Sequence, residues 1–160
     1  MDSVAELTKR LGEVARSQGA LIVTAESCTA GGIAAAITDV AGSSAWFDCG
    51  FVTYSVEAKK TMLGVSEQTV EQYGVVSKEC ASEMTAGALT HSRADVAVAV
   101  TGIAGPGGEE PGKPVGTVFI AWQRRGAGAL VERFQFSGDR SSVRAQTVEA
   151  AILGLIKILL

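Results

Sequence analysis

Ser27 is the side chain best placed for chemistry. It stands in Ala25-Glu26-Ser27-Cys28-Thr29-Ala30-Gly31-Gly32, a stretch of small hydroxyl, thiol and glycine residues. The apolar run Leu21–Thr24 leads in and Ile33–Ile37 leads out, so the pattern predicts a buried strand, a turn and a helix start. The first amides of a helix lack intrahelical partners, and such a turn can hold an anion or a developing oxyanion. The alternative is that Ser27 and Thr29 only cap the helix. A serine attacks only when a base takes its proton, and a buried lysine of depressed pKa can be that base. Lys59 and Lys60 lie one turn into a helix predicted to begin near Ser55, and Lys59 shares the face of the helix start. Their alternative is ordinary solvation.

Cys28 is a rival nucleophile, or a small buried hydrophobe. His91 is the single histidine. A Ser-His-Asp triad would have to use it, and nothing places it near Ser27; it reads as a surface residue at a helix end. Arg140 and Arg144 sit at the start of the last predicted helix, where basic side chains oppose the macrodipole and an anion such as phosphate would relieve them. An ion pair with Asp139 or Glu149 is the alternative. Tyr54 and Thr101 end predicted strands and can belong to core or site. The glycine-rich run Gly102–Gly108 lacks the Lys-Ser/Thr of a P-loop and leads to no helix, and no G-x-G-x-x-G occurs.

The elements that must position these residues follow from the order of the chain. Apolar residues at helical spacing predict a helix over 3–18, then the strand Leu21–Thr24 and a helix to Ile37. A strand follows at Trp46–Tyr54, with helices from Val56 to Leu63, from Ser66 to Gly74 and from Ser77 to Ser92. The continuous apolar run 95–101 reads as a strand covered on both faces. Strands at 115–123 and 130–136 and a helix from Asp139 to the end complete the chain. This order predicts a single three-layer α/β/α domain over residues 1–160, with a mixed sheet. Ligands of open α/β sheets bind at the carboxyl ends of strands, where the turns after Thr24, Tyr54 and Thr101 converge.

Composition narrows the class. A chain of 160 residues, 47% hydrophobic, supports one ordinary core without disulfide staples. A net charge of −3, and no Lys/Arg run longer than a pair, argue against a nucleic-acid partner. Three scattered cysteines and one histidine suggest neither a disulfide framework nor a metal site. Free thiols and an acidic, amphipathic N-terminus imply a cytoplasmic protein with no membrane partner. The apolar end Ile152–Leu160 exceeds what one helix face buries, which predicts a homodimer.

Several separate blocks, in order, carry a resemblance. Ala25-Glu26-Ser27-Cys28-Thr29, Ala41-Gly42-Ser43-Ser44-Ala45-Trp46-Phe47, Gly50-Phe51-Val52-Thr53-Tyr54-Ser55 and Glu57-Ala58-Lys59 resemble the CinA C-terminal domain family. So do Gly74-Val75-Val76-Ser77, Val100-Thr101-Gly102-Ile103-Ala104-Gly105-Pro106, Lys113-Pro114-Val115-Gly116-Thr117-Val118 and Gly138-Asp139-Arg140. The stand-alone members are amidases that hydrolyse nicotinamide mononucleotide to nicotinate mononucleotide and ammonia. The resemblance implies Ser27 as nucleophile and Lys59 as its base, with Tyr54 and Ser44 supporting them or lining the pocket. It implies Thr101 and Gly102 on the ligand side, and Arg140 on phosphate, with Arg144 as second choice. Amides around Thr29 to Gly31 would form the oxyanion hole. The substrate would be a small-molecule nucleotide, and no cofactor or metal is implied. Two positions depart from the family pattern: Ala30 replaces a glycine, and Val56 replaces an asparagine. A nucleotide-binding module with little turnover is the reading from another class.

Overall fold

The computed structural model describes residues 2–160. Helix α1 spans Val4–Gln18, strand β1 Ile22–Glu26 and α2 Gly32–Thr38; after a short 3-10 turn comes β2, Phe47–Val52. Helices α3 (Val56–Leu63), α4 (Glu67–Tyr73) and α5 (Lys78–Thr90) lead to β3, Val96–Gly102. Strands β4 (Thr117–Arg124) and β5 (Leu130–Gln135) form a hairpin, and α6 runs over Arg140–Leu159. The five strands make one sheet in the order β2-β1-β3-β4-β5. Strand β1 pairs in parallel with β2 and β3, while β4 and β5 are antiparallel. This is the expected three-layer α/β/α domain with a mixed sheet.

Strand periodicity builds the two helical layers. Val96, Val98 and Val100 face one way and pack with Ile22, Ile33, Ile37, Leu11 and Ile152 under α1, α2 and α6. Ala97 and Ala99 face the other way, with Val23 and Ala25, under Leu63, Met84 and Ala88 of α3 and α5. Larger residues thus fill one core, and smaller ones let α5 lie close on the other. Two close approaches fix the first layer. A Cβ on Gly12 of α1 would stand 2.9 Å from the Trp46 ring, and one on Gly154 of α6 would stand 2.1 Å from the Trp122 ring. The Trp122 indole N–H also donates to the Ala151 carbonyl at 3.0 Å.

Caps set the helix starts. Ser3, Ser55, Ser66, Ser77 and Asp139 each accept a backbone N–H three residues on, worth about 1 kcal/mol each. Strand β1 runs two residues past its expected end, because Ala25 and Glu26 stay in register with Phe51 and Val52 on one side and Ala99 and Val100 on the other. The apolar end of α6, the basis for expecting a dimer, is largely absorbed within the chain. Ile152, Leu155, Ile156 and Leu159 are buried, leaving Leu153 and Leu160 exposed. Among the described residues no helix is long and apolar enough to cross a membrane.

Candidate active site

The chain segments after β1, β2 and β3 meet at the carboxyl ends of the three parallel strands. Helix α2 leaves β1 on one face of the sheet, and α3 leaves β2 on the other. A cleft of about 230 Å³ opens between them. Ser27, Cys28 and Lys59 line its inner end, Thr101, Gly102 and Ala104 one wall, and Tyr54, Val56 and Arg140 its mouth; Val75 and Val76 close it.

Ser27 and Lys59 are in contact. The Lys59 Nζ lies 2.9 Å from Ser27 Oγ, in hydrogen-bond contact, and donates to the Thr53 carbonyl at 2.8 Å and to the Tyr54 carbonyl at 3.2 Å. Lys59 is 1% exposed, among the most buried large side chains of the molecule. Burial lowers its pKa, against a smaller opposing pull from the neighbouring Cys80 and Cys28 thiols. No carboxylate pairs with it: among the described residues the ion pairs use Arg10, Lys60 and Arg93. Its sequence neighbour Lys60 bonds Glu67, which raises its pKa. Burial of the Cys28 thiol pushes it up to about 11. Lys59 Nζ meets Ser27 Oγ and bonds no thiol, which favours Ser27 over this rival.

The turn that carries Ser27 is organised by a residue the sequence reading passed over. Glu26 is fully buried. Its Oε1 accepts from the Thr29 hydroxyl at 2.5 Å and from the Ile33 amide at 2.9 Å, and its Oε2 accepts from the Ala34 amide at 3.0 Å. Glu26, and neither Ser27 nor Thr29, caps α2. A signal was present: Gly31 precedes α2 and offers no side-chain cap, so the cap had to come from elsewhere. Ala30 has φ +46° and Gly31 φ +95°, a left-handed pair in which alanine is strained by roughly 1–2 kcal/mol.

Thr29, Gly31, Ser44 and Arg144 are not among the residues that line this cleft. The Thr29 hydroxyl is bound to Glu26, and Gly31 is the residue preceding α2. Ser44 is exposed before the start of β2, roughly 17 Å of strand from Ser27, because it precedes a strand whose far end carries the site. Arg144 lies behind the turn, its Nε donating to the Cys28 carbonyl at 3.0 Å and its Nη2 to the Thr29 carbonyl at 3.2 Å. The Ala30 amide is also spoken for, donating to the Ser27 carbonyl at 3.0 Å. Arg140 instead reaches the mouth, where its Nη1 donates to the Gly105 carbonyl at 2.8 Å and its Nη2 to the Tyr54 hydroxyl at 3.2 Å. Thr101 lines the cleft while its hydroxyl donates to the Val75 carbonyl at 2.8 Å. His91 lies exposed at the end of α5.

The model of the CinA C-terminal domain matches residues 4–159. The chain belongs to the CinA C-terminal domain family. It is 53% identical over 158 residues to the nicotinamide-nucleotide amidohydrolase PncC of Pseudomonas putida, covering 99% of this chain and 98% of that protein. It is 50% identical over 147 residues to the Escherichia coli K12 protein of the same name, covering 92% and 89% of the two chains. The crystal structure of the competence/damage inducible protein CihA from Agrobacterium tumefaciens superposes with a TM-score of 0.95 at 45% identity, covering 99% of this chain and 96% of that one. The family match spans every strand of the sheet and all three segments that build the cleft.

Proposed function

We propose that the protein is an amidohydrolase of pyridine nucleotide salvage, converting nicotinamide mononucleotide and water to nicotinate mononucleotide and ammonia. The observation that carries the reading is the 2.9 Å contact between Ser27 Oγ and a buried Lys59 that no carboxylate neutralises. High identity to amidohydrolases of that name along almost the whole chain supports the substrate class.

The chemistry follows from the hydrogen-bond count at Lys59. A neutral amine has two N–H bonds and one lone pair. The carbonyls of Thr53 and Tyr54 take the two N–H bonds, leaving the lone pair toward the Ser27 hydroxyl. Lys59 accepts the Ser27 proton as Oγ attacks the carboxamide carbon, and the developing oxyanion needs donors nearby. The Cys28 and Thr29 amides, the next two along the chain from Ser27, have no backbone acceptor among the described residues. They are the donors we assign. The Lys59 ammonium then donates a proton to the departing nitrogen, and ammonia leaves as the C–N bond breaks. Water, deprotonated by the same amine, releases the acid from the resulting serine ester. The cleft is smaller than typical pockets of about 300–1,000 Å³. It suits the carboxamide-bearing ring, with the phosphate at the mouth beside Arg140.

The test is ammonia release from nicotinamide mononucleotide by wild type, Ser27→Ala and Lys59→Ala. Release by wild type that both substitutions abolish, with the variants folded, supports the reading. No release by folded wild type overturns it in favour of a nucleotide-binding module, for which Ala30 and Val56 are the sequence departures to examine.

A further inference from the structure

The turn between β1 and α2 presents backbone donors and acceptors, and an acidic and a basic side chain take one kind each; the Thr29 carbonyl also accepts the Gly32 amide at 3.0 Å. Glu26 collects donors: the Thr29 hydroxyl and the first free amides of α2. Arg144, reaching across from α6, collects acceptors: the carbonyls of Cys28 and Thr29. Neither side chain lines the cleft, and neither belongs to an ion pair among the described residues. A fully buried carboxylate without a cation is costly unless it is saturated with hydrogen bonds. Saturation is what Glu26 has, together with the positive end of α2.

The consequence reaches the reacting atoms through peptide geometry. In a trans peptide the carbonyl of one residue and the amide of the next point in opposite directions. With the Cys28 carbonyl drawn to Arg144, the Thr29 amide is turned away from it. The Thr29 carbonyl is likewise drawn to Arg144, while the Ala30 amide folds back on Ser27. The left-handed conformation suits Gly31 but is one that Ala30 does not favour, so an external restraint must hold Ala30. We propose that Glu26 and Arg144 are positioning residues for the hydrolysis: together they fix the 27–31 turn, and with it the Ser27 hydroxyl and the Thr29 amide. This rests on the amidohydrolase reading above, and it removes Arg144 from consideration as a phosphate ligand.

The experiment is steady-state ammonia release from nicotinamide mononucleotide by wild type, Glu26→Gln, Glu26→Asp, Arg144→Gln and Ser3→Ala, with thermal melts. Glu26→Gln turns an amide NH₂ toward the Ala34 N–H, donor against donor. A misplacement of about 1 Å costs on the order of 100-fold in turnover. The expected result is a kcat lowered about 100-fold in Glu26→Gln, and on the order of 10-fold in the more exposed Arg144→Gln, with KM within about twofold in both. Glu26→Asp, which keeps the charge, recovers part of the loss. The pH at which activity rises stays put, because the Glu26 side chain bonds only Thr29, Ile33 and Ala34, none of them a Lys59 partner. Ser3→Ala removes a cap of α1 far from the site, and lowers the melting temperature with kcat unchanged. If Glu26→Gln does not fold, Arg144→Gln alone decides. A KM increase with kcat retained makes Arg144 a phosphate ligand and overturns the proposal. So does a kcat within about threefold of wild type in a folded Glu26→Gln. Inactive wild type instead sinks the amidohydrolase reading, an outcome distinct from either.

Discussion

The inner end of the cleft and its mouth both present a basic side chain, and burial divides their work. Lys59 is 1% exposed and meets only carbonyls and a hydroxyl, so the low-dielectric surroundings favour its neutral form. Arg140 is exposed beside a Tyr54 that is itself 60% exposed, and a guanidinium stays charged at any working pH. One cation on paper becomes a base; the other remains a place for an anion. Neither spends its charge on a carboxylate, which separates both from Lys60, one residue along α3, bridged to Glu57 and Glu67.

Breaking the inner end has the largest expected effect. Lys59→Met removes the base, lowering kcat by about 10²–10⁴-fold. It also stabilises the fold at neutral pH. The folded-state pKa of Lys59 lies below its unfolded value of 10.5, so folding carries a cost at neutral pH that fades as pH rises toward 10.5. Denaturation of wild type and Lys59→Met between pH 7 and 10.5 checks this: the stability gap narrows with rising pH. Wild-type kcat/KM rises with pH over the same titration, with its midpoint below 10.5, and an activity that falls across that range contradicts a neutral-amine base.

At the mouth, Arg140→Ala raises KM for nicotinamide mononucleotide by about 10–100-fold, the value of a charge-assisted contact of 1.5–3 kcal/mol. The phosphate-free riboside separates the two regions. It is hydrolysed equally by wild type and Arg140→Ala if the guanidinium holds phosphate, and unequally if Arg140 serves the chemistry. Tyr54→Phe, which deletes the hydroxyl that Arg140 bonds, has a smaller effect of about 2–5-fold in KM. The smallest is on stability. Ala30→Gly relieves the left-handed alanine, and relief of up to about 1 kcal/mol raises the melting temperature by about 2–4 °C.

How far the site could be read from the chain depended on what fixes each residue. Ser55 and Gly64 bound α3 by local rules, so the position of Lys59 on a helix was legible. Its burial was not, because Lys59 and Lys60 differ only in which one faces the segments that follow β1 and β2. The strand 96–102 was legible from its apolar run. Glu26 was missed because a carboxylate reads as the end of a strand unless its partners are known, and those lie in α2. Arg140 and Arg144 fall on the same face of α6, one turn apart, and only the docking of α6 against the 27–31 turn tells the mouth from the back wall. Ser44 was implied by the family resemblance alone, and the six residues of β2 stand between it and Tyr54.

The two glycine contacts that seat α1 and α6 have an optical consequence. Both tryptophans of the chain, Trp46 and Trp122, are buried in that helical layer, and neither lies in α3, α4 or α5. Intrinsic indole emission therefore reports the release of α1 and α6 from the sheet and is silent on the layer that delivers Lys59. A denaturation curve followed by fluorescence alone would miss an early loosening of α3, and an activity or thiol-accessibility trace at Cys80, buried in that second layer, is the complementary probe.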